Sequence, residues 1–268
     1  MTAETRQQEA ATASTIDVRT EGRATWITFD RPPLNVLDTA MMRSLSRVLT
    51  PLLDSRRSSC EFLVFRGAGE RAFSAGAEVA DHTPDRVGGM LAAFHQVFRQ
   101  LERAECVTIA AVRGHCLGGG MELASFCDFV VAEGSAEFGQ PEIKLGCFPP
   151  VAMVTLPALI GPRAAMDLIL TGRTISAAEA QRLGIVTRIA HDGSVEHDVQ
   201  ELISSLKKLS PAVLELTLRT MRRRQFEDFD AELAKIEQIY LGQLMKMEDA
   251  REGVRAFLEK RPASWRGR

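Results

Sequence analysis

The sequence predicts an α/β fold of stacked layers, followed by a C-terminal helical region. The first observation behind this prediction is that the order strand, strand, helix recurs early in the chain, with too few helices and too long loops for a doubly wound sheet. The second is that helical spacing of apolar residues dominates from about residue 150 onward. We therefore divide the chain into a disordered lead (residues 1–14), a core (15–200) and a C-terminal helical region (201–268).

The predicted elements of the first part follow from local patterns. Apolar and polar side chains alternate in residues 16–20, and the turn signal Glu21-Gly22 separates this segment from a second β-rich segment at 24–29. This pattern is typical of a hairpin. Asp38 is a candidate N-cap for the helix that follows. The remaining elements, in order, are a strand at 61–67, a loop at 73–84, a helix at 85–103, a strand at 107–114, a glycine-rich turn, a helix at 121–126 and a strand at 128–133.

The second part changes character. We expect helices at 151–161, 163–172 and 176–184 and one strand at 185–190. Glu196 to Leu258 is predicted to form three further helices, broken at Ser210-Pro211 and near Gln225. These helices carry more apolar surface than a lone helical hairpin can bury, so we expect them to pack against the core or a neighbouring subunit.

Composition excludes several classes of protein. The chain has 268 residues, 45% of them hydrophobic, with 33 basic against 35 acidic side chains and a net charge of −2. A near-zero charge argues against a dedicated nucleic-acid binder, and no apolar stretch approaches the ~20 residues that span a bilayer. The five cysteines include no C-x-x-C pair. The N-terminal segment has no apolar stretch typical of a secretory signal. Reduced thiols, a cytoplasmic location and no metal site are therefore expected.

Three glycines, Gly118 to Gly120, stand between a buried strand and a helix. Each glycine inside a helix costs ~1 kcal/mol relative to alanine, so helix stability does not explain them. The free N–H groups at a helix start can instead hold a ligand oxygen that gains negative charge. A simple tight turn is the alternative interpretation.

Two glutamates belong with this turn. Glu122 falls in the first turn of the helix, where it could serve only as a capping residue. Glu142 follows Pro141 one strand and one loop later, so the chain could return beside Glu122. Two carboxylates next to an oxyanion site are the minimum apparatus for adding water across a polarised double bond.

Five motifs, in this order and spacing, resemble the enoyl-CoA hydratase/isomerase (crotonase) family. They are RPPLNVLD, AFSAGAEV, RGHCLGGGMELASFCDFVVA, FGQPEIKLG and LTGRTISAAEAQRLGIVTRI. The resemblance covers about residues 15 to 265 and implies a spiral of β-β-α units with a C-terminal trimerisation region. It also implies a homotrimer or a dimer of trimers, and an acyl-CoA thioester as substrate. No cofactor is implied, since coenzyme A is part of the substrate.

The resemblance also implies roles for individual residues. The N–H groups of Ala77 and Gly119 match the oxyanion hole, and Glu122 and Glu142 match the two glutamates of the hydratase branch. An enoyl-CoA hydratase-type hydro-lyase is therefore expected, in fatty-acid or aromatic degradation. In it, Glu122 would activate water and Glu142 would supply the proton. Substrate and coenzyme A contacts are expected at Val36, Ala75, Gly76, Glu78, Val79, Gly118, Pro141 and Phe148, although Glu78 could equally be a turn residue.

One segment departs from the common family pattern. Many hydratases continue after the glutamate turn with a glycine-rich run, whereas this chain has Cys147 to Val154, with Phe148 and two prolines. This change predicts a stiffer and more apolar acyl pocket. Together with VADHTPDRVGGMLAAFHQVFR it is similar to the cyclohexa-1,5-diene-1-carbonyl-CoA hydratases, which implies water addition to a conjugated cyclic dienoyl thioester.

Other functions remain open from the sequence. Enoyl-CoA isomerisation and acyl-CoA hydrolysis occur in the same family. A non-enzymatic RNA-binding relative is a further alternative, because Arg219, Arg222, Arg223 and Arg224 form a basic cluster. We interpret this cluster as a solvated helix face or as a site for coenzyme A phosphates across a subunit interface, and we expect no nucleic-acid or membrane partner.

Overall fold

The larger of two sheets forms the centre of the fold. The computed structural model describes residues 15–54, 60–191 and 194–268, so the predicted lead at 1–14 lies outside the described residues. In spatial order the six strands of this sheet are β1 (Ile16–Glu21), β2 (Ala24–Phe29), β3 (Phe62–Gly67), β5 (Val107–Val112), β7 (Phe129–Ala132) and β10 (Arg188–Ile189). The β1–β2 hairpin is antiparallel and every other pairing is parallel.

The smaller sheet was not predicted from the sequence. Its strands, in spatial order, are β4 (Ala72–Ser74), β6 (His115–Leu117), β8 (Glu137–Gly139) and β9 (Thr174–Ser176). The sequence patterns assign the first three stretches to loops and turns, and this assignment is wrong because three residues are too few to display a two-residue period. β4, β6 and β8 each follow a strand of the larger sheet. This arrangement produces the repeated β-β-α unit.

Helices cover both sheets. They are α1 (Thr39–Leu52), α2 (Val87–Glu102), α3 (Gly119–Phe126), α4 (Pro150–Ile160), α5 (Pro162–Thr171), α6 (Ala177–Leu183), α7 (Val195–Leu206), α8 (Pro211–Gln225), α9 (Phe229–Gly242) and α10 (Glu248–Leu258). The Asp38 carboxylate accepts a hydrogen bond from the Met41 N–H at 2.8 Å and caps α1 as predicted. Turns of 3₁₀ helix at Val79–His82, Pro141–Leu145 and Leu244–Lys246 complete the fold. The predicted α/β fold class with a C-terminal helical region is confirmed.

The larger sheet is buried on both faces. Along β2, Trp26 packs in a cluster with α7, whereas its neighbour Ile27 packs in the main core between the sheets and helices. All six residues of β5 are buried, which explains its continuous apolar sequence. Because α7 covers one face of this sheet and spans residue 200, the division proposed there falls inside a core helix.

The C-terminal part contains four helices where three were predicted. The breaks at Ser210-Pro211 and Gln225 are confirmed, but a third break separates α9 from α10. Gly242 ends α9 and is the sequence signal that could have identified it. The apolar face of this region packs on the core, since the rings of Phe126 and Phe226 stack at 4.3 Å between centroids.

The basic cluster on α8 is not one solvated face. Arg222 is only 5% exposed and donates to the Asp128 carboxylate and to the carbonyls of Ala104 and Cys106. Its interpretation as a surface charge was wrong, because this guanidinium ties α8 to the ends of strands in the larger sheet. Arg219, Arg223 and Arg224 are exposed.

Candidate active site

Two loops that precede helices lie side by side. Ala75 N donates to Leu34 O at 2.9 Å, and Leu37 N donates to Gly76 O at 2.9 Å. Glu78 N donates in turn to Leu37 O at 3.0 Å. These bonds place Val36 beside the AFSAGAEV loop, so two predicted coenzyme A-binding segments that are far apart in sequence are brought together.

The same loop touches the glycine turn before α3. A Cβ atom added to Gly76, whose φ is +100°, would lie 3.3 Å from Gly119 N, and one added to Gly119 would lie 3.5 Å from Ala77 N. Only glycine allows this close approach of the two backbones. Within the described ranges, neither the Ala77 N–H nor the Gly119 N–H donates to a protein acceptor. The two groups predicted to form the oxyanion hole are therefore adjacent and available.

Glu122 lies in the first turn of α3 and is 2% exposed. Its Oε1 accepts a hydrogen bond from Ala152 N at 2.8 Å. This bond fixes the carboxylate against the start of α4, so Glu122 does not cap its own helix. The capping role considered from the sequence is therefore directed at the first turn of α4 and not at the helix that carries Glu122.

The sheet register brings Glu142 to the glycine turn. β6 and β8 pair with Leu117 opposite Gly139, and Gly118 N donates to Gly139 O at 2.9 Å. The chain then passes through Gln140 into the 3₁₀ turn that carries Glu142. A Cβ atom at Gly118, whose φ is +52°, would lie 2.6 Å from Glu142 Oε1, so the carboxylate rests directly on this glycine.

The two carboxyl groups perturb each other. Burial raises the pKa of Glu122 to about 7, against the lowering effect of the Ala152 and Val151 N–H groups. Burial raises the pKa of Glu142 well above its usual value, and the Glu122 charge raises it further. Such a pair loses its protons in two coupled steps, so one carboxyl is ionised while the other keeps its proton.

We expect Glu122→Gln to stabilise the protein at alkaline pH. With a pKa of 4.5 when unfolded and about 7 when folded, ionisation of Glu122 costs ~3 kcal/mol of folding free energy. Below the unfolded-state pKa of Glu122 the wild-type protein does not bear this cost. Its free energy of unfolding falls as pH rises through the folded-state pKa. Denaturant unfolding should therefore show a higher free energy of unfolding for Glu122→Gln than for the wild-type protein above pH ~8, and this difference should disappear below pH ~4. A gain of equal size at alkaline and at acidic pH would contradict the raised pKa of Glu122. Glu137→Gln is the control, since it makes the same chemical change at an exposed side chain.

The other predicted site residues have defined positions. Glu78 caps the Val79–His82 turn and pairs with Arg31 at 3.0 Å, which fits its alternative role as a turn residue. Pro141 is the first residue of the turn that presents Glu142. Phe148 is half-buried and packs edge-on against Tyr240, with ring centroids 4.9 Å apart.

Sequence reasoning missed three neighbours of the carboxylates. When the side-chain amide of Gln140 is oriented so that both its oxygen and its nitrogen find partners, the nitrogen donates to the two carboxyl oxygens of Glu142 at 3.3 and 3.2 Å. The signal was present, since Gln140 is part of the FGQPE motif. Tyr240 of α9 and Cys147 also lie in the electrostatic surroundings of Glu142. No local motif marks Tyr240, because it reaches the site through tertiary packing.

Other features of the molecule do not compete with this site. A cavity of about 450 Å³ lies at the amino-terminal ends of β3 and β5, lined by Phe62, Cys106 and Leu214 among others, and it contains none of the predicted site residues. The part of the chain that the structure describes holds no cluster of three metal-ligating side chains. It also holds no helix long and apolar enough to cross a membrane.

The geometry combines two free N–H groups, one carboxylate fixed by a backbone bond and a second carboxyl with a raised pKa. Such N–H groups can stabilise an oxygen that becomes negative, and the coupled carboxyls can exchange protons with a neighbouring carbon and a water. This combination suits reactions through an enolate.

Comparisons with known proteins agree with this chemistry. Residues 19–268 match the family model described as enoyl-CoA hydratase/isomerase. The chain is 34% identical over 260 residues to a cyclohexa-1,5-dienecarbonyl-CoA hydratase of Thauera aromatica, covering 97% of this chain and 99% of that protein. It is 37% identical to a probable enoyl-CoA hydratase of Rhizobium meliloti, over 95% and 98% of the two chains. The crystal structure of an enoyl-CoA hydratase from Mycobacterium avium subsp. paratuberculosis shares the fold, with a TM-score of 0.83, 24% identity and coverage of 94% and 98%.

Proposed function

Because the chain belongs to the enoyl-CoA hydratase/isomerase family, we propose that it hydrates its thioester through an oxyanion-stabilised enolate, with two glutamates as base and acid. The protein is an enzyme of the enoyl-CoA hydratase type, and its substrates are enoyl-CoA thioesters. The proposal therefore concerns how the reaction proceeds and which acyl group is preferred.

In the first step, the N–H groups of Ala77 and Gly119 donate to the thioester carbonyl oxygen. Donors fixed in this way favour the state in which the oxygen carries most charge, because they need not reorganise as the charge develops. The closeness of the two loops at Gly76 supports this assignment. The carbonyl draws electrons from the double bond and leaves the distal carbon open to attack.

In the second step, ionised Glu122 takes a proton from water as the water oxygen bonds to the electrophilic carbon. Protonated Glu142 gives its proton to the enolate carbon, which completes the addition of water. Gln140 holds the Glu142 carboxyl in place. The raised pKa of Glu142 supports its role as acid, since a group with an ordinary pKa would be ionised at neutral pH.

The single observation that carries the proposal is the contact of Glu142 with Gly118, one residue from the Gly119 N–H. This contact supports a proton donor next to the oxyanion site. Glu122 provides the second carboxyl that addition of water requires. Isomerisation needs no activated water, so the second buried carboxyl favours hydration over isomerisation.

We further propose a homotrimer or a dimer of trimers in the cytoplasm, using no cofactor beyond the coenzyme A of the substrate. Val213, Leu216 and Met221 of α8 are 62%, 56% and 65% exposed and support burial of this helix between subunits. Four buried cysteines, Cys106, Cys116, Cys127 and Cys147, are thiols outside any disulfide, which supports a reducing compartment. Burial of Arg222 weakens the case for RNA binding.

We propose a cyclic dienoyl thioester as the preferred acyl group. The relative from Thauera aromatica supports this choice. So does the half-buried ring of Phe148, which Tyr240 holds by edge-on packing, because a fixed aromatic ring suits a flat acyl ring. In such a substrate the conjugated double bonds extend the enolate into the ring.

A direct comparison of substrates tests this preference. We expect kcat/KM for cyclohexa-1,5-diene-1-carbonyl-CoA to exceed that for crotonyl-CoA by at least ~10-fold, since one extra well-buried apolar group is worth ~1–3 kcal/mol. Product mass identifies addition of water. A preference for crotonyl-CoA would contradict the cyclic assignment and leave the hydratase mechanism intact, whereas failure with every enoyl thioester would contradict both.

A further inference from the structure

Tyr240 is the single tyrosine of the chain and is 1% exposed. It lies near the end of α9, and its ring meets Phe148 edge-on at an interplanar angle of 74°. A residue of α9 thus packs against Phe148, which follows the turn that carries Glu142. Nothing in the mechanism above uses its hydroxyl group.

Tyr240 packs against the segment that follows the catalytic turn. Its neighbour Cys147 is tied to the catalytic turn, because Cys147 N donates to Glu142 O at 3.0 Å. Burial, then Cys147, and then the charges of Glu142 and Glu122 raise the pKa of the phenol. The hydroxyl therefore stays protonated and remains a hydrogen-bond donor throughout the working pH range.

This hydroxyl is poorly satisfied by the protein alone. Within the described part of the chain, its side-chain partner is the Cys147 thiol, and sulfur is a weak acceptor. A buried hydroxyl without a good partner is unfavourable, and phenylalanine would fill the same space without that penalty. The arrangement is understandable if a ligand oxygen completes the bond.

Tyr240 is also held rigidly. Glu237, one turn earlier on α9, bonds to the buried His95 and to Arg99 of α2, and Phe229 and Leu233 anchor the start of the helix in the core. α2 also carries Phe94, which abuts Gly119. A donor fixed by such a scaffold loses little freedom when it binds a ligand.

We propose that Tyr240 is a specificity-determining residue whose hydroxyl donates a hydrogen bond to the oxygen that adds to the acyl group. This oxygen belongs first to the water and then to the product hydroxyl. The inference rests on the proposed function and deepens it. Tyr240 distinguishes hydroxyacyl from enoyl thioesters and holds the water on the acyl side of the carboxylate pair.

Tyr240→Phe tests the proposal, because it removes the hydroxyl and keeps the ring against Phe148. We expect Kd for the hydroxyacyl-CoA product to rise about tenfold, the value of one hydrogen bond to a ligand, and kcat for hydration to fall by a similar factor. Kd for a saturated acyl-CoA that lacks the hydroxyl should change less than about twofold. Titration calorimetry of each thioester gives these values.

Cys147→Ala is the control, since it removes the protein partner of the hydroxyl and leaves the hydroxyl in place. We expect it to keep the wild-type ratio of the two dissociation constants. An unchanged ratio in Tyr240→Phe would overturn the proposal, and so would an equal change of the ratio in Cys147→Ala. Wild-type hydration is measured in the same series: its absence would refute the proposed function, whereas its presence with an unaffected Tyr240→Phe would refute the role of Tyr240 alone.

Discussion

Replacing Glu142 by Gln is expected to reduce hydration by at least ~10³-fold, because an amide cannot deliver the proton that the enolate carbon needs. The change is nearly isosteric, so Gln140 and Gly118 keep their neighbour. Thioester binding should persist, since the Ala77 and Gly119 N–H groups are untouched. Steady-state rates and the Kd of a saturated acyl-CoA measure the two effects separately.

Glu137→Gln is the matched control for this substitution. It makes the same chemical change on the strand just before the catalytic turn, but its side chain is 51% exposed and pairs with His115. We expect wild-type turnover from it. Wild-type turnover from the Glu142 variant would refute the assignment of Glu142 as the acid.

A methyl group at Gly119 should also be severely damaging. The added Cβ of Gly119→Ala would lie 3.5 Å from Ala77 N and 2.9 Å from the tip of the Phe94 ring. It would therefore crowd the space in front of both N–H donors. Loss of one oxyanion donor costs ~10² to 10³ in rate, and we expect kcat/KM to fall by at least ~10². The stability loss should be modest, since alanine favours the helix.

Two controls separate obstruction of the oxyanion site from disturbed packing. Gly88→Ala makes the same change on α2, where an added Cβ meets no atom within 4 Å, and should leave activity intact. Adding Phe94→Leu to the Gly119 variant relieves the ring contact. Recovery of activity in that double variant, relative to Phe94→Leu alone, would show that packing and not the oxyanion site was disturbed.

The sequence predicted the fold class and the position of most helices because long amphipathic segments and caps such as Asp38 are local signals. It missed β4, β6, β8 and β9, whose three residues carry no readable period. These short strands are nevertheless what brings Glu142 to Gly118, through the register of β6 and β8. The motifs identify the two glutamates, but the proximity of these glutamates depends on the smaller sheet, which no local sequence pattern predicts.

Long-range packing explains the remaining differences. Arg222 looks like one member of a surface cluster in sequence, yet it is buried against Asp128, 94 residues away. Tyr240 belongs to no motif and meets Phe148 only because α9 packs on α4. Such contacts are set by the tertiary fold, so single-residue reasoning along the chain could not supply them.

The most direct test of the two-glutamate mechanism follows water labelled with heavy oxygen into the product. Wild-type protein, supplied with an enoyl-CoA thioester, should give a hydroxyacyl-CoA that carries one labelled oxygen on an acyl-chain carbon, and Glu122→Gln and Glu142→Gln should give almost none. Free coenzyme A with the label in a carboxylate, an unlabelled isomer, or labelled hydroxyacyl-CoA formed at wild-type rate by either variant would contradict it.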